Sequence, residues 1–402
     1  MTKTRMTFEN PLLEVVKADG DYDTLMQCMT CGICLSRCSW QDGEDGPNPR
    51  QMVRMATLGL LDELAKSSML WNCMICNRCV VECPMGINME HLVRRARALP
   101  KADELIPKDY KRGIPLRFET GNVNGITTED YIDTLEWLSE ELQMELKDDS
   151  VSMPIDQHGA KYLYLPNPRE ISLIPTYLVA IGKMLHATGE SWTTSSKLSD
   201  VTNWGYYIGD DEVARKMAMQ VVEACEELEI ENLVLSECGH GYKVLRHMLE
   251  ELIGRKAKFR IMNSIEMTVL EMEAGRLSFD KTVNDIPVAY HDPCNIGRKS
   301  GLFDEPRKLL RASCMEVVEL EPNRMHALCC GGGGGILQDS GSTARRMLSG
   351  KSKADQIVVA DVKKVATSCL SCHRQLGELS KHYKLGVDVT TVMTLAAKAL
   401  EL

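Results

Sequence analysis

Cys28-Met29-Thr30-Cys31-Gly32-Ile33-Cys34-Leu35-Ser36-Arg37-Cys38 and Cys73-Met74-Ile75-Cys76-Asn77-Arg78-Cys79-Val80-Val81-Glu82-Cys83-Pro84 repeat one spacing, C-x2-C-x2-C-x3-C. Three thiolates at i, i+3 and i+6 on a looping backbone reach three corners of one cubane, and the fourth comes from the other run. On that rule Cys28, Cys31, Cys34 and Cys83 bind one [4Fe–4S] cluster, while Cys73, Cys76, Cys79 and Cys38 bind a second. Structural zinc sites pair two C-x2-4-C units instead, so two full copies of this run disfavour zinc. Gly32 leaves room for the backbone to wrap a cluster, and Arg37 and Arg78 are placed to offset its charge. Ser39, not Pro, follows Cys38, which changes the turn but no ligand.

Working outward, the spacing predicts helices over 51–70 and 88–99, so residues 1–100 read as a helical two-cluster ferredoxin-type domain. Residues 101–158 read as a connector with one amphipathic helix over 128–146. From 159 onward short apolar strands alternate with helices, the signature of parallel α/β units. Strands are expected over 162–165, 232–235, 259–262, 287–290, 317–320 and 362–367. Helices are expected over 176–188, 211–228, 244–254, 305–314, 342–360 and 389–402. Residues 159–280 and 281–402 form two pseudo-repeated, Rossmann-like halves: 234–238 lies over 365–369, and 162–168 over 288–294. The fold class is therefore multidomain, an α domain followed by α/β halves.

The chain has 402 residues and 16 cysteines in tight groups, which in a reducing compartment point to metal or catalysis. A net charge of −10 without basic blocks argues against nucleic acid. Residues 1–10 are polar, without the apolar core of a secretion signal, and no run of about 18 apolar residues exists to span a bilayer. A cytoplasmic protein is expected, reaching a membrane only through a partner.

The second constellation is Cys294, then Cys329-Cys330-Gly331, then Cys369-x2-Cys372. Each piece follows a predicted strand, and a parallel sheet gathers such ends at one edge. Five converging thiolates exceed a tetrahedral zinc site and suit a further iron–sulfur cluster. The run Gly331–Gly335 lets the backbone pass close to such a centre; no Lys-Ser/Thr follows it as in a phosphate loop, and no dinucleotide fingerprint occurs.

These motifs resemble a known family. The spacing of Cys294, Cys329, Cys330, Cys369 and Cys372 is similar to the cysteine-rich CCG signature of heterodisulfide reductase catalytic subunits. The union of a two-cluster domain with two CCG-type halves resembles the D-type subunit of membrane-bound heterodisulfide reductase and the K subunit of the sulfite-reductase-associated membrane complex. The resemblance implies that the five cysteines hold a noncubane [4Fe–4S] cluster that reduces a disulfide or trisulfide. The first half departs from the signature: Pro168 stands where Cys294 would be, Tyr206-Tyr207 replace the double cysteine, and Cys238 alone survives. A degenerate half without a cluster favours the sulfite-reductase-associated type, acting on a small sulfur-carrier protein, in a complex with a membrane cytochrome b-type, quinone-interacting subunit at the cytoplasmic face. The rival expectation is an electron conduit like the iron–sulfur subunits of glycolate or lactate oxidation or of benzoyl-type thioester reduction.

Two further residues enter as catalytic candidates. Cys238 is placed to carry a substrate sulfur, against a plain buried thiol; His240 to protonate a departing thiolate, against a hydrogen-bonded structural histidine. His291, His326 and His373 flank cluster cysteines as donors to sulfur, Arg298 and Lys299 as attractors of an anionic substrate, and Tyr206 and Tyr207 as packing. Cys225 and Cys314 are assigned to the core.

Overall fold

The computed structural model describes residues 10–39 and 48–402, the Lys101 side chain excepted. Most of the polar stretch over 1–10 lies outside the described residues. In the N-terminal part, short helices pack Leu12, Val16, Leu25, Met52, Val53, Leu64, Leu70, Leu92 and Val93 into one core. The helix expected over 51–70 is three: Pro49–Leu58, Leu61–Ala65 and Ser68–Asn72. Asn48 and Gln51 form a capping box with Pro49 in the first turn, and Gly59 at φ +72° ends the first helix. Apolar periodicity continues across these breaks because successive turns face the same core. Met89–Arg97 follows the second cysteine run.

Two four-stranded sheets follow, every pair parallel. The first comprises β1 (Tyr162–Leu165), β2 (Trp192–Thr193), β3 (Asn232–Leu235) and β4 (Arg260–Asn263), in the order β2-β1-β3-β4. The second comprises β5 (Val288–His291), β6 (Val317–Glu319), β7 (Lys364–Thr367) and β8 (Asp388–Thr391), in the order β6-β5-β7-β8. The two orders are the same, which gives the internal repeat its structural form: β1 and β5 are equivalent, as are β3 and β7. Burial on both faces explains the nearly continuous apolar character of β1 and β5.

Four differences from the sequence expectations have local causes. β8 occupies the start of the stretch read as helix over 389–402; Thr390 and Thr391 pair with Ala366 and Thr367, and Thr391 caps the helix Val392–Ala399. β2 has only two residues and leaves no pattern. The helix over 342–360 breaks at Gly350, where a Cβ would meet the Leu379 side chain at 2.6 Å and the Cys330 carbonyl at 3.0 Å. The helix expected from 244 begins at Gly239, directly behind Cys238.

The helix Thr128–Leu146 buries Tyr131, Leu135, Leu138 and Leu142 in a core that also takes Tyr164 and Val234 from the first sheet and Tyr290 and Ala366 from the second. Each fully buried leucine contributes about 1.5–3 kcal/mol over an exposed one. The two sheets therefore share one interior. No helix among the described residues is long and apolar enough to cross a membrane.

Candidate iron–sulfur centres

The N-terminal cysteines line two adjoining cavities of about 30 Å³ each. Cys28, Cys31, Cys34 and Cys83 surround one; Cys38, Cys73 and Cys76 surround the other, and Cys79 reaches both. The loops wrap these cavities by entering the left-handed region at matching offsets. Thr30 (φ +53°) and Ile75 (φ +46°) lie two residues past the first cysteine of each run, Gly32 (φ +85°) and Asn77 (φ +60°) four past it. A β-branched residue adopts that conformation at a cost, which the shape of the cavity must offset. Burial pushes the thiols of Cys34, Cys73 and Cys79 up, and neighbouring sulfurs of the same set add to it. Thiols so crowded fit a cation-bearing group, whose charge compensates thiolates that burial alone disfavours. Arg37 and Arg78 both lie about Glu82, at 4.0 and 3.9 Å.

The third constellation gathers at the C-terminal strand ends. Cys238, Cys294, Cys330, Cys369 and Cys372 line one cavity of about 60 Å³, together with Asn167, Tyr207 and His240. The Cys372 and Cys330 sulfurs are 3.3 Å apart. A hydrogen bond from Cys372 leads the causes that lower the Cys369 thiol to about 6. Cys329 bridges the two sets: its thiol meets that of Cys330 on one side and that of Cys76 on the other, packed with Met74 and Ile336. The innermost cysteines therefore abut the second relay cavity through one sulfur–sulfur contact.

His291 is 1% exposed, and neither ring nitrogen has a hydrogen-bond partner among the described residues. Its ligand atom lies within 4.8 Å of those of Cys330 and Cys372. An orphaned buried imidazole beside crowded thiols is a mismatch that a bound inorganic group resolves. Lys353, which carried no signal in the sequence, is buried beside the same sulfurs. Burial lowers its ammonium to about 8 while Cys330, Asp292 and Cys329 oppose the shift.

Cys238 arrives from β3 of the first half and is buried; Asn167 Nδ2 donates to its sulfur at 3.2 Å, and burial pushes its thiol to about 12. A Cβ on Gly239 would stand 3.6 Å from the Cys369 sulfur. His240 stacks on Tyr207 with ring centroids 3.7 Å apart, and its Nε2 lies 2.8 Å from the Asn203 carbonyl oxygen. Burial holds this imidazole down to about 3, so it is neutral at physiological pH. His326 bonds Glu82 at 2.9 Å, and His373 Nε2 lies 3.1 Å from the Val389 carbonyl oxygen, so both face away from the sulfurs.

Arg298 and Lys299 make protein contacts: Arg298 donates to the Cys76, Met325 and Ala327 carbonyls, and Lys299 pairs with buried Glu90 at 3.1 Å. Gly332 to Gly335 line the inner cavity and also lie against the relay loop and Tyr110. A Cβ on Gly333 would sit 2.7 Å from the Met74 carbonyl, on Gly334 2.2 Å from that of Cys73, and on Gly335 1.1 Å from the Tyr110 hydroxyl. Close approach of the two cysteine-bearing loops is what demands glycine here. Tyr206 and Tyr207 are buried, Tyr206 against Arg94 and Lys243 and Tyr207 against His240; Cys225 and Cys314 are in the cores.

Comparison with known proteins agrees with this geometry. Residues 27–88 match the 4Fe-4S dicluster domain and residues 288–377 the cysteine-rich CCG domain. The D-type subunit of the dihydromethanophenazine:CoB–CoM heterodisulfide reductase of Methanosarcina barkeri is 23% identical, covering 93% of this chain and 94% of its own length. An uncharacterized iron–sulfur protein of Methanocaldococcus jannaschii is 26% identical over 94% of this chain and 73% of its own. Iron–sulfur subunit 2 of an Hdr-like menaquinol oxidoreductase of Archaeoglobus fulgidus is 22% identical over 93% of this chain and 79% of its own. The chain is an iron–sulfur protein homologous to the D-type subunit of heterodisulfide reductase, joining a dicluster domain for two [4Fe–4S] clusters to a CCG domain for a further one.

Proposed function

We propose that this chain is the catalytic iron–sulfur subunit of a multi-subunit oxidoreductase, and that it reduces a disulfide or trisulfide at the cavity between its α/β halves. One observation carries the reading: a continuous line of sulfurs. It starts at exposed Cys31, passes Cys79 on the wall shared by both relay cavities, crosses from Cys76 to Cys329, and ends at Cys330 in the inner cavity. When bound, the clusters supply single electrons, the innermost beside a substrate sulfur. Cys294, Cys329, Cys330, Cys369 and Cys372 are the residues to hold that innermost group.

Cleavage of one S–S bond consumes two electrons and two protons and yields two thiols. In this reading Cys238 faces the substrate sulfur, held by the Asn167 N–H, and the buried walls keep water from the reacting atoms. His240, neutral, serves by holding Tyr207 against the cavity and not as the acid expected from the sequence. The named relatives are subunits of heterodisulfide reductase and menaquinol oxidoreductase complexes. The partners proposed here are accordingly other redox subunits, one a membrane cytochrome b-type protein at the cytoplasmic face, with a small sulfur-carrier protein as substrate.

Iron-loaded full-length chain should hold about 12 Fe. Adding a thiol to the oxidised protein should produce a new paramagnetic signal that Cys294→Ala abolishes while the relay absorbance persists. About 8 Fe, or a signal that survives the substitution, defeats the reading.

A further inference from the structure

The inner cysteines have two faces. Cys330 and Cys372 line the inner cavity on one side, whereas His291 and Lys353 lie outside its wall. Each of these two arrives on its own element, His291 at the end of β5 and Lys353 in the first turn of the helix Lys351–Ala360. Lys353 is 1% exposed. Its Nζ donates to Gln356 Oε1, and it forms no ion pair with a carboxylate among the described residues.

The surrounding groups leave this lysine to the sulfurs. Burial weighs against its ammonium, while Cys330, Asp292, Cys329 and Cys372 favour it. Asp292 is committed elsewhere: its two carboxylate oxygens each take Arg307 at 2.8 Å, and one also takes the Arg324 N–H at 2.9 Å. Gln356 is tied in turn to the Pro322 carbonyl at 3.1 Å. Two of the three ammonium donors are therefore unspent, and the His291 ring is unspent as well. The cations beside the relay differ. Arg97 donates to the Leu70, Tyr207 and Cys73 carbonyls, and Arg298 to those of Cys76, Met325 and Ala327.

We infer that Lys353 and His291 are positioning residues for the third cluster, donating hydrogen bonds to the sulfurs at Cys330 and Cys372 from the face away from the cavity. The lysine charge raises the reduction potential above the value that the cysteines alone would set. A cation and N–H donors stabilise the reduced, more negative state of an iron–sulfur group more than its oxidised state. An electron that has crossed the relay is thereby held at the inner end. The inference needs the third cluster but no particular substrate, so it stands apart from the disulfide reading.

The test uses iron-loaded full-length protein. Midpoint potentials are read by redox titration followed by electron paramagnetic resonance, with the two relay clusters as internal controls. Lys353→Met should lower the third midpoint by at least a tenfold change in its reduction equilibrium, about 59 mV for one electron, and leave both relay midpoints in place. Lys353→Gln, which keeps a donor and loses the charge, should lower it by less, and so should His291→Phe. In the wild type, lysine carrying a heavy nitrogen isotope should add a hyperfine coupling to the third cluster's signal, which Lys353→Met removes. An unmoved third midpoint in Lys353→Met at full iron content, an equal shift of all three clusters, or a third-cluster signal without lysine-nitrogen coupling would overturn the inference. If Lys353→Met retains only about 8 Fe, the coupling in the wild type decides. A midpoint that responds in a protein that reduces no disulfide keeps the inference and removes only the disulfide reading.

Discussion

Glu170 is fully buried beneath the Cys238 loop and accepts a hydrogen bond from Tyr164 at 2.7 Å. Burial pushes its carboxyl up to about 8, against the opposing pull of the Tyr164 and Ser236 hydroxyls. The folded chain therefore holds a proton that the unfolded chain releases near the ordinary 4.5. More protons on the native state means stability that is fully present below about pH 4.5 and falls as pH rises towards 8. Glu170→Gln should flatten this decline, seen as a thermal midpoint that changes less than that of the wild type between about pH 5 and 8. A decline of unchanged steepness would show that Glu170 is ionised in the fold. No sequence pattern marks such a residue, because its neutrality comes from Tyr164 and the surrounding interior.

Among the elements, the loop Cys329–Gly335 does two jobs at once. Cys330 lines the inner cavity, while the Cys329 thiol meets both that of Cys330 and that of Cys76 beside the relay. Its glycines let it lie on the Cys73–Met74 backbone. Gly334→Ala places a Cβ 2.2 Å from the Cys73 carbonyl at φ +63°, a combined strain and clash of at least about 1–3 kcal/mol. Chemical denaturation should show that loss together with faster hydrogen exchange over 73–77. Gly377→Ala, at an open helical position, should instead be neutral or stabilising by up to about 1 kcal/mol. Equal effects at the two glycines would refute the close-approach argument.

At the scale of the whole molecule, the dicluster domain is fixed to both α/β halves by one buried charge network. Glu90 takes Lys243 at 2.6 Å and Tyr206 at 2.7 Å from the first half, Lys299 at 3.1 Å from the second, and Asn77 at 2.6 Å from beside the relay. Burial opposes ionisation of Glu90, but the two ammoniums outweigh it and hold the carboxyl well below the usual range. Glu90→Gln leaves Lys243 and Lys299 buried and facing each other, a loss of about 3–5 kcal/mol. Calorimetry should show the midpoint fall, with the dicluster domain separating from the rest; an unchanged midpoint would refute the network's role. The sequence alone determined the cluster-binding runs, the CCG spacing and the repeat of strand-end cysteines. Metal ligation and strand pairing impose spacing along the chain, and spacing is written in the chain. The tertiary structure alone decided that Cys329 meets Cys76, that Arg298 bonds the Cys76 carbonyl, and that Lys299 pairs with Glu90. Those depend on which surfaces meet across more than a hundred residues, a fact that local periodicity does not record.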